Sequence, residues 1–113
     1  MKLITILLCF SFVTLGKTGF LYIMDADGGR VRRLTNDGGN DYTPRWSPDG
    51  STIVFRSVMS GQSDIFSVAV DGSRLTNLTN HPAEDWEPAW SPDGSKLAYV
   101  SFESRKPVIY SHD

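Results

Sequence analysis

The sequence lacks most of what catalysis, nucleic-acid binding or membrane insertion would need. It has one cysteine, Cys9, so neither a disulfide framework nor a cysteine metal site can be built within the chain. The only histidines are His81 and His112, well separated in sequence, whereas a metal centre wants two or three convergent ligands. No metal and no cofactor is expected. Serines are frequent, yet no Gly-x-Ser-x-Gly elbow occurs, nor a strand-turn-helix that could hold one. A basic footprint is missing too: 11 Lys and Arg against 13 Asp and Glu give a net charge of −2, which argues against nucleic acid. Arg30, Arg32 and Arg33 cluster, but on what reads as a solvated strand edge. No apolar run reaches the length of about 20 residues that a membrane helix requires. Beyond residue 16 no window carries a helical period.

What is present begins with a distinct amino-terminal segment. Lys2 is followed by about a dozen mostly apolar residues, Leu3 to Leu15, ending at Gly16. A basic residue, an apolar core of that length and small residues at positions 14 and 16 are the pattern of a signal peptide, with cleavage expected after Gly16. The alternative is a buried first strand. Leu7 and Leu8 before Cys9 disfavour lipidation. Loss of Lys2 with the leader would take the net charge to −3 and leave the mature chain without cysteine or a membrane span. At 113 residues, 40% hydrophobic and 21% charged, the chain fits one soluble all-β domain.

Short apolar blocks bounded by Gly, Pro, Asn and Asp read as strands joined by turns. The stretch Trp46-Ser47-Pro48-Asp49-Gly50 recurs unchanged as Trp90-Ser91-Pro92-Asp93-Gly94. Proline presets φ for a type I turn and glycine supplies the left-handed residue after it, so each copy predicts a hairpin with a tryptophan anchor before it. The offset of 44 residues extends in both directions without a gap: Asp27-Gly28 matches Asp71-Gly72, Leu34-Thr35-Asn36 matches Leu78-Thr79-Asn80, and Ser57 matches Ser101. A period of about 40–45 residues with four short strands is the sequence signature of a propeller blade.

The combination of Pro-x-Trp-Ser-Pro-Asp-Gly, a strand ending in Ser57 or Ser101, Asp64-Ile65-Phe66, Asp71-Gly72 and Leu78-Thr79-Asn80 resembles the WD-like repeat of TolB-type β-propellers. The resemblance implies a partial propeller of four-stranded antiparallel blades: two strands of a first blade at 20–36, a whole blade at 41–80, and an incomplete third at 85–113. The third copy departs from the pattern, with Val108 in place of Asp64 and Arg105 in place of Gly61. A ring of about six blades needs more than one such chain holds. The expectation is a piece of a longer propeller, or a homo-oligomer in which three copies supply the ring.

Family likeness further implies a periplasmic or secreted, non-catalytic binding or scaffold module whose partner is a cell-envelope protein or a glycan. In the periplasmic propellers it resembles, peptidoglycan-associated lipoprotein is such a partner. Similar propellers also serve as accessory domains of prolyl-oligopeptidase-like hydrolases or form pectin-degrading lyases, which is the alternative. The candidate binding residues lie on the entry to the innermost strands: Asp41, Tyr42 and Arg45 in one copy and Asp85, Trp86 and Glu87 in the next. Aromatic side chains beside charge suit an interface, although Tyr42 and Trp86 would equally pack between blades. Other motifs carry local readings. Asp25-Ala26-Asp27-Gly28-Gly29 lacks the ligand series and closing glutamate of a calcium loop and reads as a hairpin turn. Asp49 and Asp93 are expected to bind local backbone, and the Asn77-Leu78-Thr79 sequon reads as part of the repeat.

Overall fold

The computed structural model describes residues 5–12, 18–36, 38–59, 61–103 and 108–112. The cleavage point expected after Gly16 and the departure at Arg105 lie outside them. Among the described residues there are ten strands and no helix: β1 (Thr5–Phe12), β2 (Thr18–Asp25), β3 (Arg32–Arg33), β4 (Asn40–Trp46), β5 (Thr52–Met59), β6 (Gln62–Ala69), β7 (Thr76–Asn77), β8 (Asp85–Trp90), β9 (Leu97–Ser101) and β10 (Val108–His112). They form three antiparallel sheets, ordered β1-β2-β3, β4-β5-β6-β7 and β10-β9-β8. The middle sheet is the complete four-stranded blade, flanked by an incomplete one on either side.

The first sheet has one strand more than the sequence reading gave it. Thr5 to Phe12 runs antiparallel to β2, with Thr5 opposite Asp25 and Phe12 opposite Thr18. An apolar run along the edge of β2 opposite β3 satisfies backbone groups of both strands. Outer strands β3 and β7 are only two residues long. Arg30 and Arg74, one repeat apart, both take positive φ (48° and 57°), which turns the residues just before each outer strand out of the ladder.

Strand alternation sends side chains to opposite faces of the middle sheet. Ile53 and Phe55 from β5, with Phe66 and Val68 from β6, pack on Leu21, Ile23 and Leu34 of the first sheet, and Trp46 covers the edge of this cluster. Val54 and Ile65 face the other way and meet Leu97 and Tyr99 of the third sheet, with Leu78 and Trp90 alongside. The two interfaces are copies: Leu21 and Ile65, Ile53 and Leu97, Phe55 and Tyr99, and Trp46 and Trp90 are each 44 residues apart.

Both repeated turns form as the sequence predicts. Gly50 N donates to Ser47 O at 3.0 Å and Gly94 N to Ser91 O at 2.9 Å, with glycine φ of 74° and 75°. Only a residue without Cβ takes that conformation at little cost. Asp49 Oδ1 accepts from Ser47 Oγ (2.6 Å), Ser51 N (3.0 Å) and Ser51 Oγ (2.8 Å). Asp93 Oδ1 is held the same way by Ser91 Oγ, Ser95 N and Ser95 Oγ. The acidic turn after β2 is also local: Gly29 N donates to Asp27 Oδ1 at 2.8 Å, and Arg30 pairs with Asp25.

Hydrogen bonds to the ionised carboxylates lower the pKa of Asp49, chiefly through Ser47, and of Asp93, chiefly through the Ser95 amide, each to about 2. A folded pKa below the unfolded value of about 3.9 stabilises the turns fully above that value, and the contribution is lost as pH falls through about 2. Carboxyl-carbon NMR titration should find both midpoints near 2, and the Ser47→Ala variant should raise that of Asp49 alone. Midpoints near the unperturbed value would contradict the turn geometry.

Candidate functional site

The six residues singled out from the sequence divide into two groups. Asp41 and Asp85 are completely buried and belong to the framework. Leu21 N donates to Thr35 Oγ1 (3.0 Å), Thr35 Oγ1 donates to Asp41 Oδ2 (2.5 Å), and Ser57 Oγ donates to Asp41 Oδ1 (2.7 Å). This buried relay ties the first sheet to two strands of the second. One repeat later, Ile65 N donates to Thr79 Oγ1 at 2.9 Å, but neither oxygen of Asp85 nor Ser101 Oγ has a hydrogen-bond partner. His81 forms an ion-pair contact with Asp85, its Nε2 standing 3.2 Å from Oδ2 without making a hydrogen bond, while its Nδ1 accepts from Ala83 N at 3.3 Å. The same sequence signs thus build a closed network in one interface and an open one in the next.

The aromatic residues do meet a cation, but not the expected one. Arg45 is exposed and turns back on itself, its Nη1 donating to Pro44 O at 3.0 Å. Glu87 is exposed on a bulge in β8. It has a φ of 56°, as Thr43 has 49° at the matching bulge in β4. Such φ values are strained for residues with a Cβ, and the bulges re-aim the inner strands beside Pro44 and Pro88.

The cation is Arg56, opposite Tyr42 on the neighbouring β5. Its Cζ lies 5.1 Å from the Tyr42 ring centre and 4.3 Å from that of Trp86. Trp86 also tilts onto Phe102, with ring centres 5.2 Å apart. Arg56 Nε donates to Ser63 Oγ at 2.8 Å, and Ser63 Oγ donates in turn to the backbone carbonyl of Asp85 at 3.0 Å. The guanidinium is thereby held by two rings and one hydrogen bond from two sheets. Tyr42 and Trp86 thus pack between the two sheets against a charge. A signal for Arg56 was present in the sequence: it interrupts the apolar run Ile53-Val54-Phe55 where the next copy has Val100.

Other features find structural uses. Asn77 Nδ2 donates to Asp64 Oδ2 at 2.9 Å and Asn77 Oδ1 accepts from Thr79 N at 3.0 Å, so the sequon asparagine braces the blade. A cleft of about 220 Å³ runs between the two repeated turns, lined by Pro48, Asp49, Trp90 and Asp93 among others. Another of about 250 Å³ lies by Asp25, Arg30 and Val70. Neither is lined by Tyr42, Arg56 or Trp86.

Sheet order, repeated interfaces and inner-strand bulges define a partial β-propeller of the TolB-like kind. The chain belongs to the family of the Tricorn protease N-terminal beta propeller domain, whose profile matches residues 11–112, a span that takes in the end of the segment read as a leader. Over 50 residues, 44% of this chain and 17% of the relative, it is 44% identical to the uncharacterized protein Atu1656 of Agrobacterium fabrum. It is 40% identical to the Tol-Pal system protein TolB of Bordetella pertussis over 51 residues, 44% of this chain and 12% of the relative. A solved structure assigned as TolB from Agrobacterium tumefaciens superposes with a TM-score of 0.79 at 31% identity, covering 95% of this chain and 41% of that one. Oligogalacturonate lyase in complex with manganese superposes at 0.77 with 20% identity, covering 96% and 35%, a likeness of fold alone. The chain thus spans less than half the length of the relatives it matches.

The difference between the two buried aspartates is testable by denaturant unfolding. Asp41→Ala strands two buried hydroxyls and should cost at least about 2 kcal/mol. Asp85→Ala removes a carboxylate that holds no hydrogen bond and should cost clearly less. Equal losses would contradict the closed and open networks.

Proposed function

We propose that the chain is part of an exported, periplasmic or secreted propeller that acts as a non-catalytic binding or scaffold module for a cell-envelope protein. The observation that carries this reading is the Tyr42–Arg56–Trp86 cluster. Aromatic rings and an arginine are the side chains that dominate protein interfaces, because they bring large rigid area and directed donors at low entropic cost. Here they sit on or beside the innermost strands of adjacent sheets. Relatives named as members of the Tol-Pal system support an envelope setting, and the apolar segment after Lys2 supports export. The rest of the ring comes from further blades of a longer chain or from other copies.

The alternative is an accessory propeller of an exported hydrolase or polysaccharide lyase. Its support is the fold likeness to oligogalacturonate lyase and a family described by a protease's propeller domain. Photo-crosslinking groups placed at Arg45 and Glu87, with Arg74 on the outer edge as control, separate the readings. The binding module predicts one discrete envelope-protein adduct from positions 45 and 87 and none from 74. Absence of adducts, together with cleavage of polygalacturonate or a peptide substrate by the full protein, would favour the alternative.

A further inference from the structure

We infer that Arg56 is a preorganised receptor for a carboxylate, and that its ligand is an acidic segment of an extended peptide. The inference rests on the binding reading above and adds the chemistry that the surface recognises. Arg56 is half-buried, yet it makes no ion pair among the described residues. Its one hydrogen bond leaves through Nε to Ser63, itself buried at 2% exposure. Neither Nη atom has a partner, and neither is among the buried polar atoms left unsatisfied, so both reach solvent. The part of the fork left open is the Nη1–Nη2 end, the edge that engages a carboxylate through two parallel hydrogen bonds.

Orientation is already fixed before a ligand arrives. The Tyr42 and Trp86 rings lie against the guanidinium and Ser63 holds its Nε edge, so little rotamer entropy remains to be lost on binding. A lone cation placed between two sheets solely for packing would need no free donor edge, and the equivalent position in the next copy, Val100, makes do with an aliphatic chain. Both Nη atoms reach solvent beside the two rings, an accessible fork that a carboxylate side chain of an extended peptide can engage.

The test follows the Arg56 side-chain and Trp86 indole NMR signals in the whole chain during titration with acetyl-triglutamate amide, acetyl-triglutamine amide and trigalacturonate. Saturable shifts of both signals with triglutamate and none with triglutamine are expected. Arg56→Gln should abolish them, and Arg56→Lys, which keeps the charge but not the fork, should weaken binding about tenfold or more. The wild-type titration stands even where a variant folds poorly. Equal response to triglutamine, shifts surviving Arg56→Gln in a folded variant, or saturation by trigalacturonate alone would each overturn the inference. Discrete crosslinks from positions 45 and 87 combined with unmoved Arg56 signals would retain the binding module and reject its carboxylate specificity.

Discussion

A four-stranded blade has two faces and can bury neither by itself, so the structure depends on sheet packing against sheet. The middle sheet shows the constraint most plainly. Ile53, Val54 and Phe55 are consecutive, all fully buried, and point alternately into two different interfaces. A strand buried on both faces reads as a continuous apolar block instead of an alternation. Each interface then repeats the other's contacts at an offset of 44 residues, which is why stability in such arrays is a sum over neighbours.

Polar groups follow the same logic with less fidelity. The relay from the Leu21 amide through Thr35 to Asp41 and Ser57 crosses from one sheet to the next in a buried setting, where unsatisfied groups are expensive. Its copy keeps the residues Thr79, Asp85 and Ser101 and the bond from the Ile65 amide to Thr79, but not the links to the aspartate, and His81 stands beside Asp85 instead. The apolar half of the repeat tolerates small displacements because dispersion and burial are non-directional; hydrogen bonds do not, since they fail when donor and acceptor lose alignment. Function is set against this frame. Arg56 occupies a strand position that its copy fills with valine, and the substitution converts a packing site into a held cation.

Much of the fold was legible because its signals are local. The Trp-Ser-Pro-Asp-Gly turns, the Asp-Gly hairpins and the 44-residue offset each state a backbone conformation, and the structure follows them to the positive φ of Gly50 and Gly94. The brevity of the outer strands was not legible, because the positive φ of Arg30 and Arg74 leaves no trace in residue type. The pairing of Thr5–Phe12 with β2 was hidden by composition, since one apolar run serves equally as a leader core and as a strand. At the candidate site the sequence reading set Tyr42 near Arg45 and Trp86 near Glu87, whereas the structure brings both rings to Arg56. Neighbours along a strand face opposite ways, whereas Tyr42 and Arg56 meet across a strand pair, and register of that kind is decided by the bulge at Thr43.

The central claim is that packing between sheets, relayed through Asp41, makes the first and middle sheets one cooperative unit. Amide hydrogen exchange of Leu21, which donates to Thr35, measured beside Phe55 and Ile65 in the middle sheet, tests it most directly. The account predicts that Leu21 and Phe55 open with the same free energy, and that Asp41→Ala lowers both together. Fast exchange at Leu21 with unchanged protection at Phe55 would contradict it.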